Sequence, residues 1–213
     1  GLAGMNALLH LLDNPHKNLR YIHVAGTNGK GSTSTAISNV FIEAGYKVGL
    51  YTSPYVSHFL ERVQFNGKPV DETVFSESVE KVKACVEKLQ KEDVIITEFE
   101  ALTAAAFLCY KKLECDVVVL EVGLGGRLDA TNVIDSPLVN IITSLSLDHT
   151  AILGNSIEEI AYEKCGTLKE NCKVISSFGQ PLGAVCVIEK TVAEQNGALV
   201  IPSGDNISVL KSS

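Results

Sequence analysis

No apolar run approaches the roughly 18 residues that a bilayer-spanning helix needs, so no membrane segment is expected. No stretch reads as a secretory leader. The first residue is Gly1 rather than Met, so the expectation is a segment of a longer cytoplasmic protein. Lysine and arginine form no cluster and the net charge is −7, which argues against nucleic-acid partners while leaving room for one local anion site. The six cysteines, at 85, 109, 115, 165, 172 and 186, make no C-x-x-C and no zinc spacing. With 213 residues, 46% of them hydrophobic, the chain supports a sizeable core, and buried free thiols are the expected state of the cysteines. Internal repeats, low-complexity tracts and interdomain linkers are also missing, so residues 1–213 read as one domain.

What is present is an alternation of strand and helix patterns. Met5, Leu8, Leu9 and Leu12 form a helical stripe over 3–12 that "DNP" ends. "RYIHVA" (20–25) and "KVGLY" (47–51) read as strands. Between them Ala36, Ile37, Val40, Phe41 and Ala44 mark one helical face, with Gly45 as the stop. Residues 52–70 form a polar loop with "FNGKPV" as a small hairpin. Helices follow over 71–91 and 98–113, the second opened by a Thr97/Glu100 capping box. "CDVVVLEV" (115–122) and "LVNIITSL" (138–145) are apolar strands, and the first is continuous enough for burial on both faces of a parallel sheet. "SIEE" caps a helix from 157 to 169; "KVISS", a helix over 182–195 and "ALVI" complete the series. The tail "SGDNISVLKSS" reads as the start of a further element. The fold class is therefore α/β, a mainly parallel sheet flanked by helices, and ligands in such folds bind beyond the carboxyl ends of the strands.

Four loops lie at those ends. The first, "HVAGTNGKGSTST" (23–35), holds three glycines, one lysine and five hydroxyl side chains. The usual phosphate loop is G-x-x-x-x-G-K-[ST], but Val24 stands five before Gly29 and Gly31 follows Lys30. A strand leads in and an amphipathic helix leads out, so backbone amides, the helix N-terminus and Lys30 still converge on an anion. The magnesium-binding hydroxyl is either Ser32, one step late, or comes from another loop. The second loop carries Ser53 before Pro54, which by itself also reads as a Ser-Pro turn. The third follows "VVVLE": an acidic residue ending an apolar strand is the Walker-B arrangement for Mg²⁺, with a solvated strand end as the alternative, and Glu121 fills the place. "GLGGRLDATN" after it is no dinucleotide fingerprint, because Asn132, Asp135 and Pro137 do not continue as a helix. Its glycines point to close backbone approach to a ligand, with Arg127 and Asp129 as contacts. The fourth holds "LDHT"; alone, His149 reads as a surface or structural histidine. In the 157–169 helix, Lys164 falls on the face of Ile157, Ile160, Ala161 and Leu168, where a lysine either snorkels to solvent or meets a negative partner.

Taken in order, "GTNGKGS", "TSP", "TEFEALT", "LEVGLGGRLDATN", "LDHT" and "YEKCG" resemble the folylpolyglutamate synthase and dihydrofolate synthase family, within the Mur ligases. The resemblance covers nearly the whole chain; a departure is Tyr55, where the family often has histidine after "TSP". It implies a P-loop NTPase-like central domain of Mur ligase type, with the C-terminal glutamate-ligase domain outside this chain. It implies ATP binding by Asn28, Gly29, Lys30, Gly31 and Ser32, and Mg²⁺ ligation by Ser53, Glu121 and His149. Lys164 matches a lysine that is carbamylated in the family and so stands near a second metal. Thr97, Phe99, Arg127, Asp129 and Ala130 fall to the folate site, and Lys30, His149 and Lys164 to catalysis.

The implied reaction joins L-glutamate to a folate or to dihydropteroate through an acyl phosphate made with ATP. The partners are then these small molecules, with neither nucleic acid nor membrane, and the expected state is a monomer. Two rivals remain at this point. A Mur-type cell-wall ligase uses the same ATP chemistry, but "GGRLDATN" argues against it. A nucleotide-dependent switch ATPase would need no pteridine pocket.

Overall fold

The computed structural model describes residues 2–202; the expectation about the tail falls on 203–213 and lies outside the described residues. In chain order the elements are α1 (Ala3–Leu11), β1 (Tyr21–Ala25), α2 (Lys30–Glu43), β2 (Val48–Tyr51), β3 (Val63–Phe65), β4 (Lys68–Pro69), α3 (Glu72–Gln90) and α4 (Glu98–Lys112). Then come β5 (Val117–Glu121), β6 (Val139–Ile142), α5 (Thr150–Leu153), α6 (Ile157–Cys165), β7 (Lys173–Ser176), α7 (Leu182–Glu194) and β8 (Ala198–Val200). The eight strands form one sheet in the order β4-β3-β2-β5-β1-β6-β7-β8. Pairings from β2 through β8 are parallel. The β2–β3 and β3–β4 pairs are antiparallel, and Asn66 and Gly67, both at positive φ, make the hairpin turn.

Alternation along the strands divides the core. Tyr21, Val118 and Leu120 face Met5, Leu8 and Leu9 of α1, Val82, Cys85 and Leu89 of α3, and Phe107 and Tyr110 of α4. Ala25 and Val122 continue that alternation and meet α6 and α7 through Ala161, Cys165, Ala184, Ile188 and Val192. Ile22, Val24, Val48, Leu50, Val117 and Val119 face the other way, where α2 packs through Ile37, Phe41 and Ile42.

Several expectations need correction. On α2, Ser34 and Ser38 are the buried residues, while Val40 is 68% exposed and Ala36 and Ala44 are open to solvent. The stripe read from the sequence is thus rotated: small hydroxyl side chains let the helix lie close to the sheet. The strand around 138–145 is the four-residue β6, and β7 leaves Lys173 and Ile175 outward, because α2 does not extend over this end of the sheet. The helix expected to reach 169 stops at Cys165, so Leu168 is not on it. Five cysteines are buried and free, but Cys186, on the outer side of α7, is exposed.

Register sets the ends of four strands level. Val24 pairs with Glu121, Ala25 with Ile142 and Tyr51 with Leu120. The loops that begin at Gly26, Thr52, Val122 and Thr143 therefore leave one edge of the sheet together.

Candidate functional site

The glycine loop is fastened before it is offered to a ligand. Its amides at Thr27 and Asn28 donate to the Ser144 carbonyl at 2.9 and 3.1 Å. Thr27 Oγ1 donates to the Ser146 carbonyl, and Asn28 Nδ2 to Ser146 Oγ. Gly26 has φ +148, and a Cβ there would stand 1.8 Å from Thr143 Oγ1, so only glycine lets the loop turn against β6. Gly29 is the left-handed N-cap of α2, with open space beside its Cα and no side-chain cap. The first N–H groups of α2 thus keep their donor capacity, and the helix dipole adds positive potential at the same point. Lys30 Nζ folds over the loop onto the Thr27 carbonyl at 3.3 Å, with Ser32 exposed one residue beyond Gly31.

Glu121, at the end of β5, is buried and close to this helix: a Cβ on Gly31 would lie 3.6 Å from its Oε2. Ser53 donates its backbone N–H to the same oxygen at 3.0 Å, which brings the second loop in. Burial raises the Glu121 carboxyl above its ordinary range, opposed by the Ser53 N–H and by Lys30. His149 is the left-handed N-cap of the short α5, exposed, with Nε2 3.7 Å from Asp148. It lines a narrow cleft with Gly26, Lys30, Gly123, Asp148 and Lys164. Among the described residues Lys164 neither snorkels nor pairs with a carboxylate. It is 4% exposed, and Nζ donates to the Gly26 carbonyl at 2.9 Å. Burial, then the neighbouring Lys30 charge, pushes its ammonium down to about 8.

Leu124 and Gly125 border this cleft and also a wider one of about 510 Å³, so the two adjoin. The wider cleft has apolar walls from Ile95, Phe99, Leu128 and Ile152, with Thr97, Arg127, Asp129 and Ala130 around it. The Phe99 ring packs against Gly123, where a Cβ would come within 2.5 Å of its Cζ. Three side chains assigned to this cleft serve the protein first. Thr97 exchanges hydrogen bonds with Glu100 as a capping box. Arg127 holds Glu163 through Nε and Nη2, at 3.1 and 2.8 Å. Asp129 accepts from the Leu124 N–H and from both the N–H and hydroxyl of Thr131. No α-helix follows Gly126; a single 3-10 turn, Ala130–Val133, does.

Sequence reading missed Glu163 and Glu61. Glu61 accepts from the Val56, Ser57 and His58 amides and from Ser57 Oγ, which holds its carboxyl down at about 2 and shapes the loop after Ser53. The spacing of His58 and Glu61 was the available signal, since it makes a capping box. Glu163 gave none, because its partner lies 36 residues away. Among the described residues, no three His, Cys, Asp or Glu side chains cluster as a ready metal cage, and no helix is long and apolar enough to cross a membrane. The hard oxygen donors at Ser53 and Glu121, beside a lysine and a helix N-terminus, suit a divalent cation that arrives with phosphate rather than one held by the chain alone.

Comparison with known proteins is consistent with this geometry. The family model of the Mur ligase middle domain matches residues 24–176. Over 183 residues the chain is 48% identical to the dihydrofolate synthase/folylpolyglutamate synthase of Bacillus subtilis, covering 85% of this chain and 42% of that protein. It is 42% identical over 185 residues to the folylpolyglutamate synthase of Lacticaseibacillus casei, 86% of this chain and 43% of that one. A solved FPGS–AMPPCP–folate complex superposes with a TM-score of 0.89 at 39% identity, over 94% of this chain and 50% of the other. The chain spans about half the length of these relatives or less.

Proposed function

Because the chain belongs to the Mur ligase family through its middle domain, we propose that it is the ATP- and folate-binding part of a ligase that adds L-glutamate to a folate or to dihydropteroate. One observation carries the reading. The uncapped Gly29–Lys30 helix start, the buried Glu121 and an apolar 510 Å³ cleft meet at one sheet edge, with Leu124 and Gly125 common to both clefts. Triphosphate at the first and a flat ring system in the second would bring the two reactants together there.

In this reading the α2 amides, with Asn28, Gly29, Gly31 and Ser32, cradle the phosphates, and Lys30 leaves the Thr27 carbonyl to neutralise them. Ser53, Glu121 and His149 would hold Mg²⁺, which supplies compensation for phosphate charge when bound. Thr97, Phe99, Arg127, Asp129 and Ala130 line the pteridine end. A carboxylate oxygen of the substrate attacks the γ-phosphorus and ADP leaves. The amine of glutamate then attacks the acyl phosphate, and the amide forms as phosphate departs. Positioning and charge compensation are the protein's main contribution.

Lys164 joins this machinery as a carbamate. With its pKa near 8, about a quarter of the amines are neutral at pH 7.5, and the neutral nitrogen can add to CO2 with loss of a proton. The product is an anion able to face a second cation, where an ammonium would be repelled. The glutamate site is assigned to the part of the protein beyond this chain, and the working state to a cytoplasmic monomer.

The test is full-length protein with ATP, Mg²⁺, L-glutamate and either dihydropteroate or tetrahydrofolate. One ADP and one phosphate per new amide is the expected stoichiometry. ATP turnover indifferent to both acceptors would overturn the reading in favour of a nucleotide-dependent switch.

A further inference from the structure

The strand that delivers the glycine loop carries a titratable side chain that the ligase chemistry leaves idle. His23 lies in the middle of β1 and is 1% exposed. Its Nε2 is 2.9 Å from Thr131 Oγ1, and that hydroxyl is 2.6 Å from Asp129 Oδ1. Hydrogen counting fixes the direction of this chain. Both Asp129 oxygens already accept backbone N–H groups, Oδ1 from Thr131 and Oδ2 from Leu124. Burial raises the Asp129 carboxyl above its ordinary range, but the Thr131 hydroxyl and the Leu124, Thr131 and Gly123 N–H groups oppose that. This ring of donors is the environment of a carboxylate, which can only accept, while a threonine hydroxyl owns one hydrogen. Thr131 therefore donates to Asp129 and must accept from His23. The imidazole is the Nε2–H tautomer, and its Nδ1 makes no hydrogen bond among the described residues, as a bare ring nitrogen would. Desolvation, aided by Lys169, pushes the ring down to about 3, so it stays neutral.

We propose that His23 is a positioning residue for the wider cleft: its Nε2–H sets the Thr131 hydroxyl, which locks Asp129 and with it the wall formed by residues 124–130. On its other side the wall is tied to α6, where Arg127 holds Glu163 and Asn132 Nδ2 donates to the Arg127 and Gly166 carbonyls. Gly126 lies directly against the backbone of α6, where a Cβ would stand 2.7 Å from the Glu163 carbonyl, and the Arg127 N–H donates to that carbonyl at 2.8 Å. The 124–130 segment is thus clasped from one side by α6 and from the other by the His23–Thr131–Asp129 chain. Asp129 is 7% exposed and lines the cleft, so the bonds that hold its carboxylate also set that part of the wall. The same strand runs on into Gly26 and Lys30, which makes β1 the common mounting of the phosphate loop and the substrate wall. The identity of the cleft's substrate rests on the proposed ligase reading; the tautomer and the bonding do not.

Full-length protein is compared as wild type, His23→Leu, His23→Gln and Thr131→Val. Loss of one neutral hydrogen bond predicts a rise of about three- to tenfold in KM for the pteridine-bearing substrate in His23→Leu and Thr131→Val, with kcat and the KM for ATP unchanged. Gln can present an Nε2–H at the same reach and should return KM towards wild type. The double variant His23→Leu/Thr131→Val should be no worse than the poorer single one. Nitrogen-15 NMR of the wild-type protein should find Nε2 protonated and Nδ1 bare. An Nδ1–H tautomer, a Gln variant no better than Leu, equal losses for ATP and the second substrate, or unchanged KM in Thr131→Val would each overturn the proposal. If wild-type protein shows no turnover dependent on a pteridine substrate, the ligase reading fails instead, and the NMR result still decides the tautomer.

Discussion

Replacing Lys164 by Met is expected to stabilise the unliganded chain at neutral pH, although the residue is assigned to the catalytic machinery. An ammonium ordinarily near 10.5 is held at about 8, first by burial and then by Lys30, against opposing help from Asp148 and Asp129. That difference corresponds to about 3 kcal/mol of penalty on the charged form in the folded state. Met keeps the length and removes the charge, but it strands the Gly26 carbonyl, at a cost of about 1 kcal/mol. The net gain at pH 7 is about 2 kcal/mol, or roughly 4–8 °C in Tm for a chain of this size. The sign with pH follows from proton counting. Between about 8 and 10.5 the unfolded chain binds more protons at this site than the folded one, so wild-type stability rises with pH through that window. The advantage of Lys164→Met should therefore be full below pH 8, shrink above it, cross zero before pH 10.5 and end as a deficit approaching the roughly 1 kcal/mol cost of the stranded Gly26 carbonyl. Thermal melts followed by circular dichroism in CO2-free buffers from pH 7 to 10.5 measure it. A variant less stable than wild type at pH 7, by an amount independent of pH, would refute the reasoning.

Lys30→Ala should weaken ATP binding by about ten- to a hundredfold, the worth of a charge-assisted contact of roughly 1.5–3 kcal/mol, with little change in Tm; calorimetric titration of both proteins decides it. Gly126→Ala drives a methyl group to within 2.7–2.9 Å of backbone atoms of Glu163 and Lys164, which cannot swing aside. It should lower Tm by several degrees and weaken binding in the wider cleft, read by melting and ligand titration, whereas Gly29→Ala has open space and only its positive φ to oppose it.

The strands and long helices were legible because each is a periodic pattern resolved within its own length. The phosphate loop was legible because glycines, lysine and the strand-to-helix junction sit in one stretch. Lys164 was noticed as out of place, but its partner was not foreseen: it is a backbone carbonyl 138 residues away, and any residue type can supply one. The rotation of α2 escaped for a related reason. Hydrophobic pattern points towards Val40, but close packing on the sheet selects Ser34 and Ser38 for size. His23 carried no signal at all within an otherwise apolar strand; its role appears only when the turn holding Thr131 folds back beneath it.

The strand order also dictates a schedule. β1 has β5 on one side and β6 on the other, so it has no neighbour to bind until the chain has run past residue 117, nearly a hundred residues later. During synthesis the glycine loop emerges early yet hangs from a strand with both edges bare. An apolar strand in that condition invites mispairing, and non-local pairing of this kind folds slowly. Insertion of β5 between β1 and β2 is the event that makes a sheet out of separate pieces. Any truncation ending before Val117 should leave the phosphate loop with nothing to be mounted on.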